Sequence, residues 1–273
     1  EVFAITPDLV DVLRERTGED ASGFPRRYVS RAQTLFPLLY DDRSILIAVR
    51  HFDPLKGASG ARFGLESISG AGPTLARTER LFASPSARAL ELGGVAAVVS
   101  SGPRPEGSAA TDPPPLEVTA FPGLPRAILV PESVVVPPEN AVEVALSPKI
   151  DPLRTVVLED GEPRPADPAW NDREALVRGL AYRPGRVALE ARLPAPGFLV
   201  VFNAFESGWR AEVDGAAAPV ERANAAFQAM RLESGTHRIE LTYRPPGLGE
   251  GLLLGVAGIL ATVLAAIRLR PAV

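Results

Sequence analysis

The chain has 273 residues, of which 46% are hydrophobic and 23% charged, so it is long enough for one large domain or two ordinary ones and too apolar to be disordered. Its net charge of −4, without a basic cluster, argues against nucleic acid as a partner, because phosphate binding needs a concentrated cationic face. Cysteine is absent, which excludes disulfides, thiolate metal sites and cysteine nucleophiles. The chain starts at Glu1 without a methionine or a signal-peptide pattern, and we expect it to be a piece of a longer polypeptide.

The first 150 residues mix helix and strand signals. A helix is predicted from Thr6, a possible N-cap, to Gly18. Short strands are predicted for RRYVS and ILIAV. The segment SPSARALELGGVAAVVSS predicts a capped helix from about Pro85 that ends at two glycines and leads into an apolar strand, Val95–Val99. Strand character resumes in LEVTAF and RAILVP, and we expect residues 1–150 to form a mixed α/β subdomain.

Residues 151–247 show a different pattern, in which short strands recur about every 10 residues between Pro/Gly turns, as is typical of an antiparallel β-sandwich. In the last strand Ile239, Leu241 and Tyr243 face one way and charged or polar residues the other. The predicted fold class is therefore α+β: an N-terminal α/β subdomain, a jelly-roll-like antiparallel β-sandwich and a C-terminal helix.

The segment WRAEVDG within the sandwich places Trp209 on the same side of a strand as Ala211 and Val213. Asp214 and Gly215 then supply residues that tolerate positive φ in a tight hairpin turn. A core position is the favoured interpretation for the tryptophan, because large aromatic residues of sandwiches mostly pack inward, and a sugar-stacking platform is the alternative.

The C-terminal segment GLLLGVAGILATVLAAIRLRPAV predicts a membrane span. Gly251 to Ile267 is an uncharged run of 17 residues, and flanking turns bring it to roughly 20, the length that crosses a bilayer core. Arg268 and Arg270 follow it. The positive-inside rule then places the C-terminus in the cytoplasm and residues 1–247 outside. We expect residues 248–270 to be a transmembrane helix in lipid contact; a buried soluble helix is the alternative.

A search for catalytic and metal motifs finds none. His51 and His237 lack metal-ligand spacing, and no nucleophile-elbow, Walker A or dinucleotide fingerprint occurs. We therefore expect no catalytic residue, no metal and no cofactor in this chain. Asp53, Asn203 and Glu206 lie in HFDPL and NAFESG, and surface solvation is their default interpretation. A sandwich glycosidase with paired acids is the least favoured function.

The sequence resembles the C-terminal end of the YfhO-type bacterial membrane proteins. The resemblance rests on Gly208-Trp209, Val213-Asp214-Gly215, Pro219, Arg222-Ala223-Asn224, Phe227, Gly235, His237 and Tyr243-Arg244-Pro245, followed directly by an apolar helix. Upstream, HFDPL is similar to a Tyr-Asp-Pro-Leu segment of that family, LGGVAAVVS to its GV-x-Tyr-Val strand and GLPRAILV to its Leu-Pro-Arg-Ala segment. These pieces occur in order along most of the chain.

The resemblance implies an extracytoplasmic domain and last helix of a polytopic, glycosyltransferase-C-like protein of the bacterial cytoplasmic membrane. Such proteins are thought to transfer a sugar from a polyprenyl-phosphate donor to a cell-envelope acceptor. The implied partners are the lipid bilayer, the remaining transmembrane helices of the parent protein, and a polyprenyl-phosphate sugar or envelope glycopolymer. The catalytic acid of that class lies in a first outer loop near the N-terminus, so no catalytic residue is transferred to this chain.

The candidate substrate-binding residues are Trp209, Arg222, Asn224 and Phe227, which lie in or near the loop 221–227. Arg222 and Asn224 offer hydrogen bonds to hydroxyls or phosphate, and the aromatic faces offer stacking on a pyranose. In the structural alternative, Asn224 and Phe227 hold the loop against the sheet. The competing function is a membrane-tethered carbohydrate- or partner-binding β-sandwich module without catalysis.

Overall fold

The computed structural model describes residues 11–13, 15–16, 19–24, 27–30, 66–67, 81, 86–101, 103 and 116–268. The predicted N-cap Thr6, the predicted strand ILIAV and the HFDPL segment with His51 and Asp53 lie outside these residues. Residues 11–13 and 15–16 are helical, within the helix that the sequence predicts.

A first sheet lies in the N-terminal half. It consists of β1 (Arg27–Ser30), β2 (Glu66–Ser67), β3 (Val95–Ser101) and β4 (Leu116–Ala120), in the order β2-β1-β3-β4. Strand β1 runs parallel to β2 and β3, and β4 is antiparallel to β3. Helix α1 (Ala87–Leu92) precedes β3, and the Ser86 hydroxyl caps it by accepting from the Ala89 amide. This is the capped helix, glycine stop and apolar strand predicted from the sequence.

Two larger sheets follow. The six-stranded sheet contains β5 (Ala127–Val130), β6 (Glu132–Val135), β7 (Thr155–Leu158), β10 (Gly197–Val201), β13 (Glu221–Ala223) and β14 (Phe227–Leu232), in the order β5-β10-β14-β13-β7-β6. The five-stranded sheet contains β8 (Leu176–Arg183), β9 (Arg186–Leu193), β11 (Trp209–Val213), β12 (Ala216–Ala218) and β15 (Gly235–Tyr243), in the order β12-β11-β15-β9-β8. Helix α2 (Ala141–Leu146) lies between β6 and β7 in the chain, and helix α3 (Leu248–Arg268) follows β15.

These two sheets pack face to face as a β-sandwich-like unit. One core cluster joins Leu199 and Met230 of the six-stranded sheet to Leu189 and Ile239 of the five-stranded sheet. The five-stranded sheet is antiparallel throughout, whereas β6 and β7 of the other sheet run parallel. The predicted β-rich architecture is confirmed, with strands from both sides of residue 150 in the six-stranded sheet.

The six-stranded sheet is also covered on its other face. Phe198 and Val200 of β10 pack there with buried residues of α1 and α2, including Leu92 and Ala145. Strand β10 is buried along its whole length, which explains its continuous apolar run GFLVV. The sheet therefore lies between a second sheet and a layer of helices.

Several loops meet where the chain enters helix α3. Val201 at the end of β10 pairs with Gln228 near the start of β14, and Trp209 at the start of β11 pairs with Tyr243 at the end of β15. Residues 202–208 connect the two sheets at this point. We call it the helix end of the sandwich: residues 123–126, 183–186, 202–209, 222–227 and 243–247. At the opposite, far end, β10 begins at Gly197, against which Trp170 packs.

Helix α3 spans 21 residues at the position of the predicted membrane span. Large apolar side chains in its first half are exposed, among them Leu252, Leu253 and Leu254 at 68%, 73% and 74%. Within the part of the chain that the structure describes, no helix is both long and apolar enough to cross a membrane. The transmembrane helix at residues 248–270 therefore stays a prediction.

Candidate functional site

Trp209 lies at the helix end, in contact with Tyr243. The two ring centroids are 5.4 Å apart and the rings are tilted by 53°. The indole is half-buried and packs on the core between the sheets, which agrees with its interpretation as a core anchor. Gly208 makes this pair possible: a Cβ there would lie 2.6 Å from the Tyr243 ring and 2.5 Å from the Arg244 carbonyl oxygen. The Gly-Trp sequence is therefore a packing requirement of this corner.

Arg222 lies on β13 with its guanidinium 4.4 Å from the centroid of the Phe205 ring. Its Nε lies 3.7 Å from a carboxylate oxygen of Glu159, and the side chain is 26% exposed. A guanidinium over an aromatic face keeps its planar donors oriented, which suits it to hydroxyl or phosphate oxygens. Of the four candidate residues, Arg222 and Trp209 retain exposed surface.

Asn224 is buried and holds the loop to the sheet. Its Oδ1 accepts a 2.9 Å hydrogen bond from the Val157 amide, and its own amide donates to the Val157 carbonyl oxygen at 2.8 Å. Its φ of 46° and that of Ala225, 68°, lie in the left-handed region, where asparagine is among the better tolerated residues. These contacts support the alternative in which Asn224 holds the loop against the sheet.

Phe227 is 3% exposed and belongs to the core on the helix-covered face of the six-stranded sheet. Its ring packs edge-on against Phe202, with centroids 5.1 Å apart. The buried ring anchors the start of β14, which supports the alternative in which Phe227 holds the loop against the sheet.

Residues 202–208, which join β10 to β11, connect these features. Phe205 supports Arg222, and its amide donates to the Ala226 carbonyl oxygen at 2.8 Å. Glu206 accepts a 2.5 Å hydrogen bond from the Tyr243 hydroxyl. This hydrogen bond, together with burial and the negative charge of Glu206, raises the pKa of Tyr243 above its usual value of 10.0. The connection therefore fixes both exposed candidate residues at the helix end.

A pair of arginines beneath this connection is the feature that the sequence did not reveal. Both guanidiniums donate to the Asn203 Oδ1 at 3.1 Å, one from Arg27 and one from Arg126. Arg27 also donates to the Phe202 carbonyl oxygen at 2.6 Å, and Arg126 to the Tyr182 hydroxyl at 2.7 Å. Arg126 is 3% exposed and Asn203 7%, so this group is internal scaffolding. The default expectation of surface solvation does not hold for Asn203.

Asp20 extends this polar cluster. One carboxylate oxygen accepts from the Arg126 amide at 2.5 Å, and the other from the amides of Ser22 and Phe24. The N-terminal segment is thereby attached to the start of β5. The arginine of GLPRAILV was visible in the sequence as part of the family resemblance, but its burial depends on long-range packing that spacing does not encode.

The described site is thus a corner of a β-rich domain from which a long helix departs, with aromatic and arginine side chains around that departure point. Residues 197–255, which include all four candidate residues, match the family model described as bacterial membrane protein YfhO. The chain is also 22% identical over 140 residues to the uncharacterized protein YfhO of Bacillus subtilis (strain 168). No solved structure gives a significant match.

These findings make residues 197–255 similar to part of a class of bacterial membrane proteins. They confirm the resemblance indicated by the motifs: the chain is similar to the YfhO-type family. The aligned part is 51% of this chain and 16% of the relative, so the chain spans a small fraction of the relative's length.

Proposed function

We propose that this chain is the extracytoplasmic C-terminal region of a glycosyltransferase-C-like membrane protein. It serves as an accessory domain during transfer of a sugar from a polyprenyl-phosphate donor to a cell-envelope acceptor. Residues 1–247 lie outside the cytoplasmic membrane, residues 248–270 span it beside the other helices of the parent protein, and the C-terminus is cytoplasmic. The boundary at residue 247 and the jelly-roll-like description belong to the same proposal.

One observation carries this proposal: the exposed candidate residues lie at the helix end. The Arg244 amide donates to the Gly208 carbonyl oxygen at 2.9 Å, so the first residues after β15 contact the loop that bears Trp209. Four residue steps from Arg244 to Leu248 reach at most about 14 Å. If α3 enters the bilayer, Trp209 and Arg222 therefore face the headgroup layer, where a lipid-linked sugar would be presented.

The chemistry of the two residues suits such a ligand. Arg222 presents guanidinium donors to sugar hydroxyls or phosphate oxygens, and Trp209 presents part of an aromatic face for stacking. The chain supplies no acid-base pair of its own in this proposal, so the reaction is assigned to the membrane-embedded part of the parent protein.

The test is sugar transfer by the full-length parent protein carrying Arg222→Ala. We expect transfer to fall several-fold while the thermal unfolding midpoint changes no more than in Arg231→Ala. Arg231 is a matched control because it also lies over an aromatic ring, Phe198 at 5.3 Å, and pairs with a carboxylate, Glu221 at 2.8 Å, but near the far end. Equal sugar transfer by both variants would show that Arg222 has no role in binding the substrate.

The alternative function is a membrane-tethered carbohydrate- or partner-binding module without catalysis. The gene sequence upstream of Glu1 distinguishes the two. About ten or more hydrophobic spans with an acidic pair in the first outer loop support the transferase, whereas a signal peptide with a single later span supports the tethered module.

A further inference from the structure

The outer face of the five-stranded sheet carries its charges in bands parallel to the helix end. In the band nearest the helix, Arg183 lies opposite Arg186, Arg186 opposite Thr242, and Thr242 opposite Arg210. Residues directly opposite one another on neighbouring strands place their Cβ atoms about 5 Å apart on the same face. Three arginines and a threonine therefore form one row across four strands, which we call the arginine row.

The next two bands contain carboxylates. Glu212 and Glu240 lie opposite each other one band further from the helix, and in the band beyond Glu190 lies between Arg238 and Arg178. Arg244, two residues after Thr242, extends the positive charge toward α3 and is exposed. Unlike the two bands beyond it, the band at the border from which the helix departs contains no carboxylate.

Protein carboxylates neutralise this row only in part. Arg186 pairs with Glu240 at 3.0 Å. Among the described residues, neither Arg183 nor Arg210 has a carboxylate at ion-pair distance; Arg210 donates instead to the carbonyl oxygens of Ser207 and Trp209. Like charges directly opposite each other destabilise a sheet, so a further anion beside Arg183, which lacks the carboxylate partner that Arg186 has, would stabilise this pair.

We infer that the arginine row binds the phosphates of anionic phospholipids in the outer leaflet. This inference rests on the proposed insertion of α3 and adds the lipid class that the helix end contacts. The headgroup layer of one leaflet is about 5–7 Å thick, and the row lies within a few residues of the helix start. A guanidinium binds phosphate through paired N–H donors, and the Trp209–Tyr243 pair supplies the amphipathic rings typical of a membrane interface.

The two tryptophans allow a direct test, because Trp209 lies at the helix end and Trp170 at the far end. The chain carrying Trp170→Phe, with Trp209 as the fluorophore, is reconstituted in phosphatidylcholine vesicles. Brominated phosphatidylglycerol or brominated phosphatidylcholine is added at the same mole fraction. We expect stronger quenching by phosphatidylglycerol, and loss of that preference in Arg183→Gln/Arg210→Gln. The double variant Arg183→Lys/Arg210→Lys, which keeps both positive charges, should retain the preference for phosphatidylglycerol.

The matched control is Arg178→Gln/Arg192→Gln, which removes two exposed arginines of the same face in the bands remote from the helix. This variant should keep the preference. If both lipids quench Trp209 measurably and equally in the chain with the unmodified arginine row, the lipid assignment is wrong. The proposed membrane position of the helix end would still hold. In the chain carrying Trp209→Phe, we expect neither lipid to quench the remaining Trp170. If neither lipid quenches Trp209 either, the proposed position of the helix end is contradicted.

Discussion

The Tyr243 hydroxyl donates a 2.5 Å hydrogen bond to Glu206 Oε2, across 37 residues of sequence. Tyr243 is the last residue of the final strand, and Glu206 lies in the connection between the two sheets. The bond therefore ties the base of α3 to the loop that carries Trp209 and supports Arg222.

We expect the ionisation of Tyr243 to occur above pH 10.0, because the hydroxyl must keep its proton to donate to Glu206. The bond contributes to stability below the unfolded pKa, and this contribution is lost as pH rises through the higher folded pKa. The tyrosinate absorbance titration should include a late phase above pH 10.0, and Tyr243→Phe should remove one tyrosine from that phase. If the amplitude of the late phase is unchanged in that variant, the assignment to Tyr243 is wrong.

Gly208→Ala should destabilise the chain by about 1–3 kcal/mol, because a methyl group there would overlap both the Tyr243 ring and backbone of the next segment. Denaturant unfolding measures the loss. Gly249→Ala is the control, since a Cβ at that helical position meets nothing within 4 Å. A stability for Gly208→Ala equal to that of the control would contradict the close packing described.

Asn224→Ala should cost about 1–3 kcal/mol of stability, because the buried Val157 amide loses its side-chain acceptor. Asn224→Gly separates two causes, since glycine accepts the φ of 46° without strain but also lacks the acceptor. If the hydrogen bond dominates, the two variants lose similar stability. Recovery of full stability by the glycine variant would assign the effect to backbone conformation instead.

The pKa of Asp214 should lie below its ordinary value of 3.8, chiefly because the Arg238 amide donates a hydrogen bond to its carboxylate. The second cause is the hydrogen bond between His237 Nδ1 and Asp214 Oδ2, at 2.7 Å. Since the folded pKa is lowered, the stability contribution is present above the unfolded pKa and is lost as pH falls through the folded one. Carboxyl-carbon NMR titration measures the midpoint. In His237→Gln the pKa of Asp214 should stay mostly lowered. A return of this pKa to its ordinary value in that variant would show that the imidazole is the main cause of the shift.

The hairpin at Asp214 shows what local sequence determines well. Asp214 and Gly215 adopt φ values of 53° and 82°, and Val213 pairs with Ala216 around this two-residue turn, as the Asp-Gly pair predicts. The capped helix, its end at two glycines and the strand after Gly94 were predictable for the same reason, because short-range backbone chemistry decides them.

The candidate site was less predictable, because its residues depend on distant partners. Asn224 and Phe227 belong to a loop rich in small residues, a pattern that suits either a binding surface or a buried turn, and only the contacts with Val157 and Phe202 distinguish these. The buried Arg126 and Asn203 are polar in sequence and internal in structure, because they satisfy each other across 77 residues.

The membership of β5 and β6 in the six-stranded sheet sets a limit on how this protein can be divided for expression. A recombinant version that begins at residue 151 would lack both strands and would leave the edge of β10, otherwise paired with β5, without its neighbour. An apolar strand with unpaired backbone groups is a template for association with other chains. Production of the sandwich in isolation therefore has to begin ahead of Ala127.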